Sequence, residues 1–563
     1  MVVPLSRSGL LYTLVLAGVI MTRGLASSGD DAEIRFTVTD RVIGHVDARL
    51  FGQFLERASW GEPGPEAARV PGTRQLQPSV LARLREMEIP IIRFPGGTDV
   101  DYTNWHDLVD NVPGRGAARP DKTIGRHGGA ITNNFGYDEF LRLCEDLGAE
   151  PLIVLNLREG VVRERLLAEA AQHAAGLVAY CNAPQGAKLP EGMPDWPAVR
   201  AKNGRPEPYG VRYFEIGNEI GHFWRQIEAL GLGEQETLEW YLTCLETYVE
   251  AVREVDPTVE IVVDGDVGRA LPHLRARLGD TVQHLAHHRY LPWRWSNNVV
   301  KNGEPYPLEE MTAEEIWKAW VGVPEIDPES GTSRARGRIY DIARRDGYKV
   351  AITEWNWNGP CEREGAALDS LFAQGIGAAG FLHAFMREGD VVSMGHQSML
   401  VGVSWGINAI RADPSGEVPA YMFPTGQVTM FYSKHHGRDL LEVESEGVPR
   451  HAQPYGMGTI RPKTAEVAYI DALATADEDR IYFHAINRSF GEDLAVTLDL
   501  SAFDFLGATA TQRSFEGRLH NTAQEGEPLE MGFFNTTSLE VSGPVLRVTL
   551  PKRSVTILEI PRG

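Results

Sequence analysis

The stretch Val211-Arg212-Tyr213-Phe214-Glu215-Ile216-Gly217-Asn218-Glu219 is a short apolar run that ends abruptly in polar residues. A helix-like pattern over 236–255 follows it. The same sequence of events recurs on both sides. Upstream, apolar runs occupy 49–56, 89–95 and 151–156; downstream they occupy 259–265, 284–290, 349–354 and 391–396. Amphipathic segments such as 78–88 and 137–147 lie between them. Strands alternating with helices indicate a parallel sheet, and eight such units predict an α/β fold, a (β/α)8 barrel over 49–430.

Beyond this barrel the pattern changes to strands without long helices, at 466–472, 480–486, 494–500, 546–550 and 554–560. They predict a C-terminal all-β sandwich over 431–563. The strand-like 33–38 precedes the barrel, so residues 29–48 are expected to join the sandwich. The apolar residues 10–21 follow Arg7 and precede Ala26-Ser27-Ser28. They are too short for a membrane span and read as a secretory signal over 1–28. A secreted or periplasmic location is expected, an uncleaved N-terminal anchor being the alternative.

Composition narrows the partners. A chain of 563 residues, 43% hydrophobic, supports a large core, while 55 Lys and Arg against 77 Asp and Glu leave a net charge of −22. Such a surface argues against nucleic acid and against an anionic membrane. A neutral oligo- or polysaccharide suits it better; a homo-oligomer stays open. The four cysteines, Cys144, Cys181, Cys244 and Cys361, form no C-x-x-C pair and lack histidines at a metal spacing, so buried thiols are expected as readily as disulfides. No metal and no cofactor are expected.

Barrel enzymes place their chemistry at the carboxyl ends of the strands. Here these ends carry Glu56, Thr98-Asp99, Asn156, Asn218-Glu219, His288-Arg289-Tyr290, Glu354-Trp355-Asn356 and His396-Gln397. Glu219 and Glu354 each close an apolar strand, and burying a lone carboxylate is costly. Two carboxylates facing each other across a barrel mouth can split a glycosidic bond, one protonating the leaving oxygen while the other attacks or activates water. Trp60, Trp105, Tyr290, Trp355 and Trp357 are candidate flat surfaces for a sugar ring. Of His287 and His288, one exposed and one hydrogen-bonded core histidine is the simpler expectation, and Asp264 and Asp266 serve the turn after the fifth strand.

These residues, taken in order, resemble glycoside hydrolase family 51, the retaining α-L-arabinofuranosidases. The similarity runs through Phe51-Gly52-Gln53-Phe54-Leu55-Glu56-Arg57, Arg93-Phe94-Pro95-Gly96-Gly97, Trp105 and Arg119-Pro120. It continues through Glu139-Phe140, Gly148-Ala149-Glu150-Pro151, Tyr180-Cys181-Asn182, Lys202-Asn203-Gly204 and Pro208-Tyr209-Gly210-Val211. Gly217-Asn218-Glu219, His288-Arg289-Tyr290, Thr353-Glu354-Trp355-Asn356, Asn487-Arg488-Ser489 and Leu550-Pro551 complete the series.

The resemblance implies Glu219 as general acid/base and Glu354 as nucleophile of a double displacement. It implies that Asn218 holds the sugar 2-hydroxyl and that Glu56 and Tyr290 line the subsite, with Gln397 aligned approximately to a substrate-reaching position; His288, Thr98 and Asp99 are further candidate substrate-binding residues. The sequence departs from the family at Thr98-Asp99, where an Asn and an aromatic are usual, and at Gly221-His222-Phe223-Trp224. Insertions at 110–130 and 290–326 add loops around the mouth. The expected activity is removal of terminal furanosyl units from polysaccharide side chains. A galactofuranosidase, xylosidase or endo-glucanase on the same scaffold, or a non-catalytic carbohydrate-binding protein, are the alternatives.

Overall fold

The computed structural model describes residues 33–291, 299–321, 338–357, 367–368, 371–457, 466–504, 506–519 and 529–562. The expected signal over 1–28 and Cys361 lie outside them. Among the described residues no helix is long and apolar enough to cross a membrane.

Eight parallel strands close into a barrel. In chain order they are Gly52–Phe54, Ile91–Phe94, Glu150–Leu155, Tyr213–Ile216, Glu260–Asp264, His284–Leu291, Lys349–Trp357 and Val392–Ser398. The last pairs with the first, His396 opposite Gly52. Each falls within or overlaps an apolar run in the sequence, because strands buried on both faces need uninterrupted Val, Ile, Leu and Phe. Their residues alternate. Ile91, Leu152, Val154, Tyr213, Val262, Ala286, Ala351 and Met394 pack inside the barrel. Ile92, Phe94, Ile153, Phe214, Ile216, Ile261, Leu285 and Val350 face the surrounding helices. Helices such as Pro78–Met87, Tyr137–Leu147, Leu167–Asn182, Glu234–Val255 and Leu371–Arg387 build that outer layer.

A nine-stranded sheet forms the second unit. Its order is Gly532–Glu540, Thr509–Gly517, Ser554–Pro561, Arg480–Asn487, Ile470–Ala476, Asp439–Glu446, Arg35–His45, Leu494–Asp499 and Val545–Leu550. The sheet folds over its own core of Phe36, Val38, Leu441, Ile481, Phe483, Val496, Leu498, Leu546 and Leu558. On strand Arg480–Asn487 the alternate residues Tyr482 and Ile486 join the barrel's core instead. One strand therefore serves two cores through its period of two. The N-terminal strand Arg35–His45 lies between Asp439–Glu446 and Leu494–Asp499.

Three features differ from the expectations. The segment 466–472 splits at Tyr469, its first part pairing with Arg450–Ala452 in a separate ribbon. Strands Asp439–Glu446, Thr509–Gly517 and Gly532–Glu540 went unread, since their exposed or half-buried residues carry little hydrophobic signal. Trp105, Trp355 and Trp357 are no sugar platforms: all three are buried in the main core. Trp355 packs edge-on against Phe381 and Phe385. Cys144, Cys181 and Cys244 are buried free thiols.

Candidate active site

Alternation along the barrel strands decides which polar groups enter the lumen. Arg93 is in phase with Ile91, Glu215 with Tyr213, and His288 and Tyr290 with Ala286. Glu354 is not in phase with Ala351. An irregularity in pairing between Ala351 and Glu354 shifts the strand by one residue. The irregularity turns Glu354 inward and sends Trp355 out to the helices, as β-bulges beside active sites do.

Glu219 reaches the same space from a tight turn after the fourth strand. Gly217 adopts φ +80°, and Glu219 itself is left-handed at φ +46°, a conformation that costs a non-glycine residue on the order of 1–3 kcal/mol. Asp264, at the end of the neighbouring strand, holds this turn by accepting the Ile220 N–H at 2.8 Å. The close approach of Asp266, added to burial, pushes the Asp264 carboxyl up to about 6. Asp266 accepts the His288 N–H at 2.9 Å and lies 2.8 Å from His287 Nδ1. Both histidines are buried, so the expectation of one exposed ring does not hold.

The two glutamates converge. One oxygen of Glu219, one of Glu354 and a ring nitrogen of His288 all lie within 4.8 Å of one another. His288 Nδ1 is 3.0 Å from Glu219 Oε1 and 3.7 Å from Glu354 Oε2. Burial disfavours its charge, yet Glu354 and Glu219 raise its pKa to about 9. Glu219 also meets His222, Nδ1 to Oε2 at 3.1 Å. Although burial opposes ionisation, His222 and His288 hold the Glu219 carboxyl well below its usual range.

Glu354 receives Arg93 Nη1 at 3.0 Å and the Tyr290 hydroxyl at 2.9 Å. The Arg93 guanidinium also donates to Glu215 at 2.5 Å and to Asn218 Oδ1 at 2.8 Å. Arg93 thus fixes the nucleophile candidate, the sugar-hydroxyl ligand and a buried counter-charge with one rigid fork. Its part in the site was missed at the sequence level, although a charge inside an apolar strand marks it. Asn218 is 1% exposed, and its Nδ2 has no hydrogen-bond partner among the described residues. It is a buried donor ready for a ligand oxygen.

Glu56 accepts the Gly97 N–H at 3.1 Å. Burial, with Glu354 and then Asp99 nearby, raises its pKa well above the ordinary value. Gly97 is required by closeness: a Cβ there would stand 2.7 Å from Glu354 Oε1.

Two of the remaining expected residues are held by other groups. Asp99 accepts from the Ser59 N–H at 2.6 Å and the Arg126 N–H at 2.7 Å, joining two loops. Gln397 is fully buried, accepting from Gln53 at 3.1 Å and Thr429 at 2.8 Å. Its amide is spent beneath the mouth because strand Val392–Ser398 continues past it. The Thr98 side chain lies outside the described residues.

Oxygen and nitrogen donors of this kind can bind a metal ion, but two cationic side chains already occupy the same space. His288 and Arg93 supply cations beside both carboxylates.

Comparison with known proteins agrees with this geometry. Residues 83–306 match the Alpha-L-arabinofuranosidase 1 domain. Alpha-L-arabinofuranosidase C of Emericella nidulans is 32% identical over 425 residues, 68% of this chain and 72% of that protein. The chain belongs to the α-L-arabinofuranosidases of glycoside hydrolase family 51. It is therefore a glycoside hydrolase acting on carbohydrate. An intracellular exo-alpha-(1->5)-L-arabinofuranosidase of Streptomyces lividans is 30% identical over 507 residues, 84% of this chain and 66% of that one. The structure of an α-L-arabinofuranosidase from Thermotoga maritima in complex with arabinose superposes with a TM-score of 0.68 at 20% identity. It covers 94% of this chain and all of that one, a likeness in fold.

Proposed function

We propose that this family member is a retaining, exo-acting α-L-arabinofuranosidase that removes terminal arabinofuranosyl units from polysaccharide side chains. The observation that carries the reading is the approach of Glu219 and Glu354 to within 4.8 Å, oxygen to oxygen. Retaining enzymes hold their carboxyl groups about 5–5.5 Å apart, whereas inverting enzymes leave about 6.5–9.5 Å for a water.

In this reading Glu354 attacks the anomeric carbon while Glu219 protonates the departing oxygen, leaving a glycosyl ester on Glu354. Glu219 then takes a proton from water, and the hydroxide oxygen displaces the ester. Arg93 and Tyr290 aim the nucleophile. The proton for the first step rests on the Glu219–His288 pair, which titrates as a unit. A sugar that expels water makes two neighbouring carboxylates costlier and moves this proton onto Glu219. Glu56 spends one oxygen on the Gly97 N–H and offers the other to a sugar hydroxyl. The Asn218 amide meets the 2-hydroxyl, a contact that tightens as positive charge develops.

Glu354→Gln is expected to abolish turnover while sugar binding persists. Glu219→Ala is expected to lose most activity and to regain part of it with azide. Wild-type rates in either variant refute the assignment. A panel of aryl glycosides tests the sugar: hydrolysis of another glycoside and none of the arabinofuranoside replaces the substrate. Activity is expected to survive a chelator undiminished.

The N-terminal pattern of residues 1–28 supports export to the periplasm or medium, which cell fractionation tests. The acidic net charge of −22 supports a glycan partner over nucleic acid.

A further inference from the structure

The hairpin formed by Lys122–Ile124 and Ala130–Thr132 belongs to the insertion at 110–130. Its turn is held from several sides. The Arg126 N–H donates to Asp99 Oδ1 at 2.7 Å, and Asp99 also accepts the Ser59 N–H at 2.6 Å. Gly125 and Gly129 allow the contact: a Cβ on Gly125 would stand 2.5 Å from Ser59 Oγ, and one on Gly129 2.1 Å from Ser59 O. At the hairpin base, Arg57 donates to Thr132 O at 2.6 Å and Thr132 donates to Glu66 at 2.6 Å. The turn is thus pre-positioned before any ligand arrives.

From this turn the Arg126 side chain reaches a neighbour of the acid/base. Its Nη1 is 3.4 Å from His222 Nδ1, the nitrogen that touches Glu219 Oε2 at 3.1 Å. The other Glu219 oxygen is engaged by His288 inside the barrel. Oε2 is therefore the oxygen on the rim side, and a leaving group that takes its proton passes His222 and Arg126. Both side chains are exposed. Arg126 has no carboxylate within ion-pair distance among the described residues, in a chain with 22 more acidic than basic side chains. The backbone of the turn is fixed by Asp99, while the guanidinium it carries meets an imidazole and no carboxylate among the described residues.

We infer that Arg126, with His222, forms a leaving-group subsite for an anionic sugar substituent, a carboxylate or a sulfate, on the glycan from which the terminal unit is cut. The inference rests on the proposed arabinofuranosidase reading and specifies its substrate. Guanidinium suits both anions, since its planar fork donates two parallel hydrogen bonds to adjacent oxygens.

The test compares kcat/KM for three arabinofuranosyl oligosaccharides of one backbone, with neutral, uronate-bearing or sulfated sugars next to the cleaved bond. The readout is the anionic-to-neutral ratio. The wild type is expected to favour at least one anionic substrate by about tenfold, the scale of one charge-assisted hydrogen bond. The ratio should shrink with added salt. Arg126→Gln should bring it close to one, and Arg126→Lys should restore part of it. Preference for uronate alone, sulfate alone or both identifies the source of the anion. A wild-type ratio near one, or a ratio that survives in Arg126→Gln, overturns the inference. Failure to hydrolyse all three together with aryl arabinofuranosides would instead refute the arabinofuranosidase reading itself.

Discussion

At the scale of single residues, the centre is a balance of charge. Glu219 and Glu354 share a small space, and His288 and Arg93 make this tolerable. Because the folded His288 has its pKa raised from 6.5 to about 9, it stabilises the fold fully below pH 6.5. That contribution declines above pH 6.5 and is gone once the pH has passed about 9. Thermal melts of wild type and His288→Gln are expected to show a Tm difference that is largest near pH 6 and vanishes above pH 9. Gly97→Ala should reduce kcat/KM by about 100-fold with an unchanged circular dichroism spectrum, since its Cβ displaces the Glu354 carboxylate. Glu219 and Glu354 were legible because a carboxylate closing an apolar strand demands a reason. Gln397 was not, because its position after a strand says nothing about whether the strand goes on. Arg93 and Glu215 hid in plain view inside strands, where only alternation against Ile91 and Tyr213 shows that they meet.

At the scale of elements, all eight barrel strands were readable as apolar runs, since strands buried on both faces cannot carry many polar residues. The irregularity before Glu354 was not readable. It depends on pairing with the neighbouring strand, which a single stretch of sequence does not display. The loops at the mouth obey a similar logic. Glu62 is fully buried and accepts the N–H groups of Val403, Ser404 and Trp405 at 2.5, 2.8 and 2.7 Å, tying the loop after the first strand to that after the eighth. Glu62→Ala leaves these donors without a partner and should cost on the order of 3 kcal/mol. Denaturant titration measures the loss, and hydrogen exchange should locate it in residues 403–408.

At the scale of the whole molecule, barrel and sandwich share a buried ionic junction. Asp471 of the sandwich sheet pairs with Arg387 of helix Leu371–Arg387, with Arg488 at 2.8 Å and with His383 at 3.3 Å. Burial opposes its ionisation, but Arg387, with His383 and Arg488, keeps the carboxyl well below the ordinary range. Asp471→Asn removes the charge that both guanidinium groups share and should destabilise by about 3 kcal/mol. Calorimetry of the wild type is expected to show one transition for both units, because their cores interlock through strand Arg480–Asn487. The strand Arg35–His45 carries a further consequence. Arg35 bonds to Asp499, 464 positions later in the chain. On the ribosome this strand emerges ahead of the barrel and stays without either neighbour until synthesis has passed residue 439. Fragments that stop after the barrel would leave it bare, a sticky edge inviting aggregation, so expression of the chain in pieces should fail where the intact product succeeds.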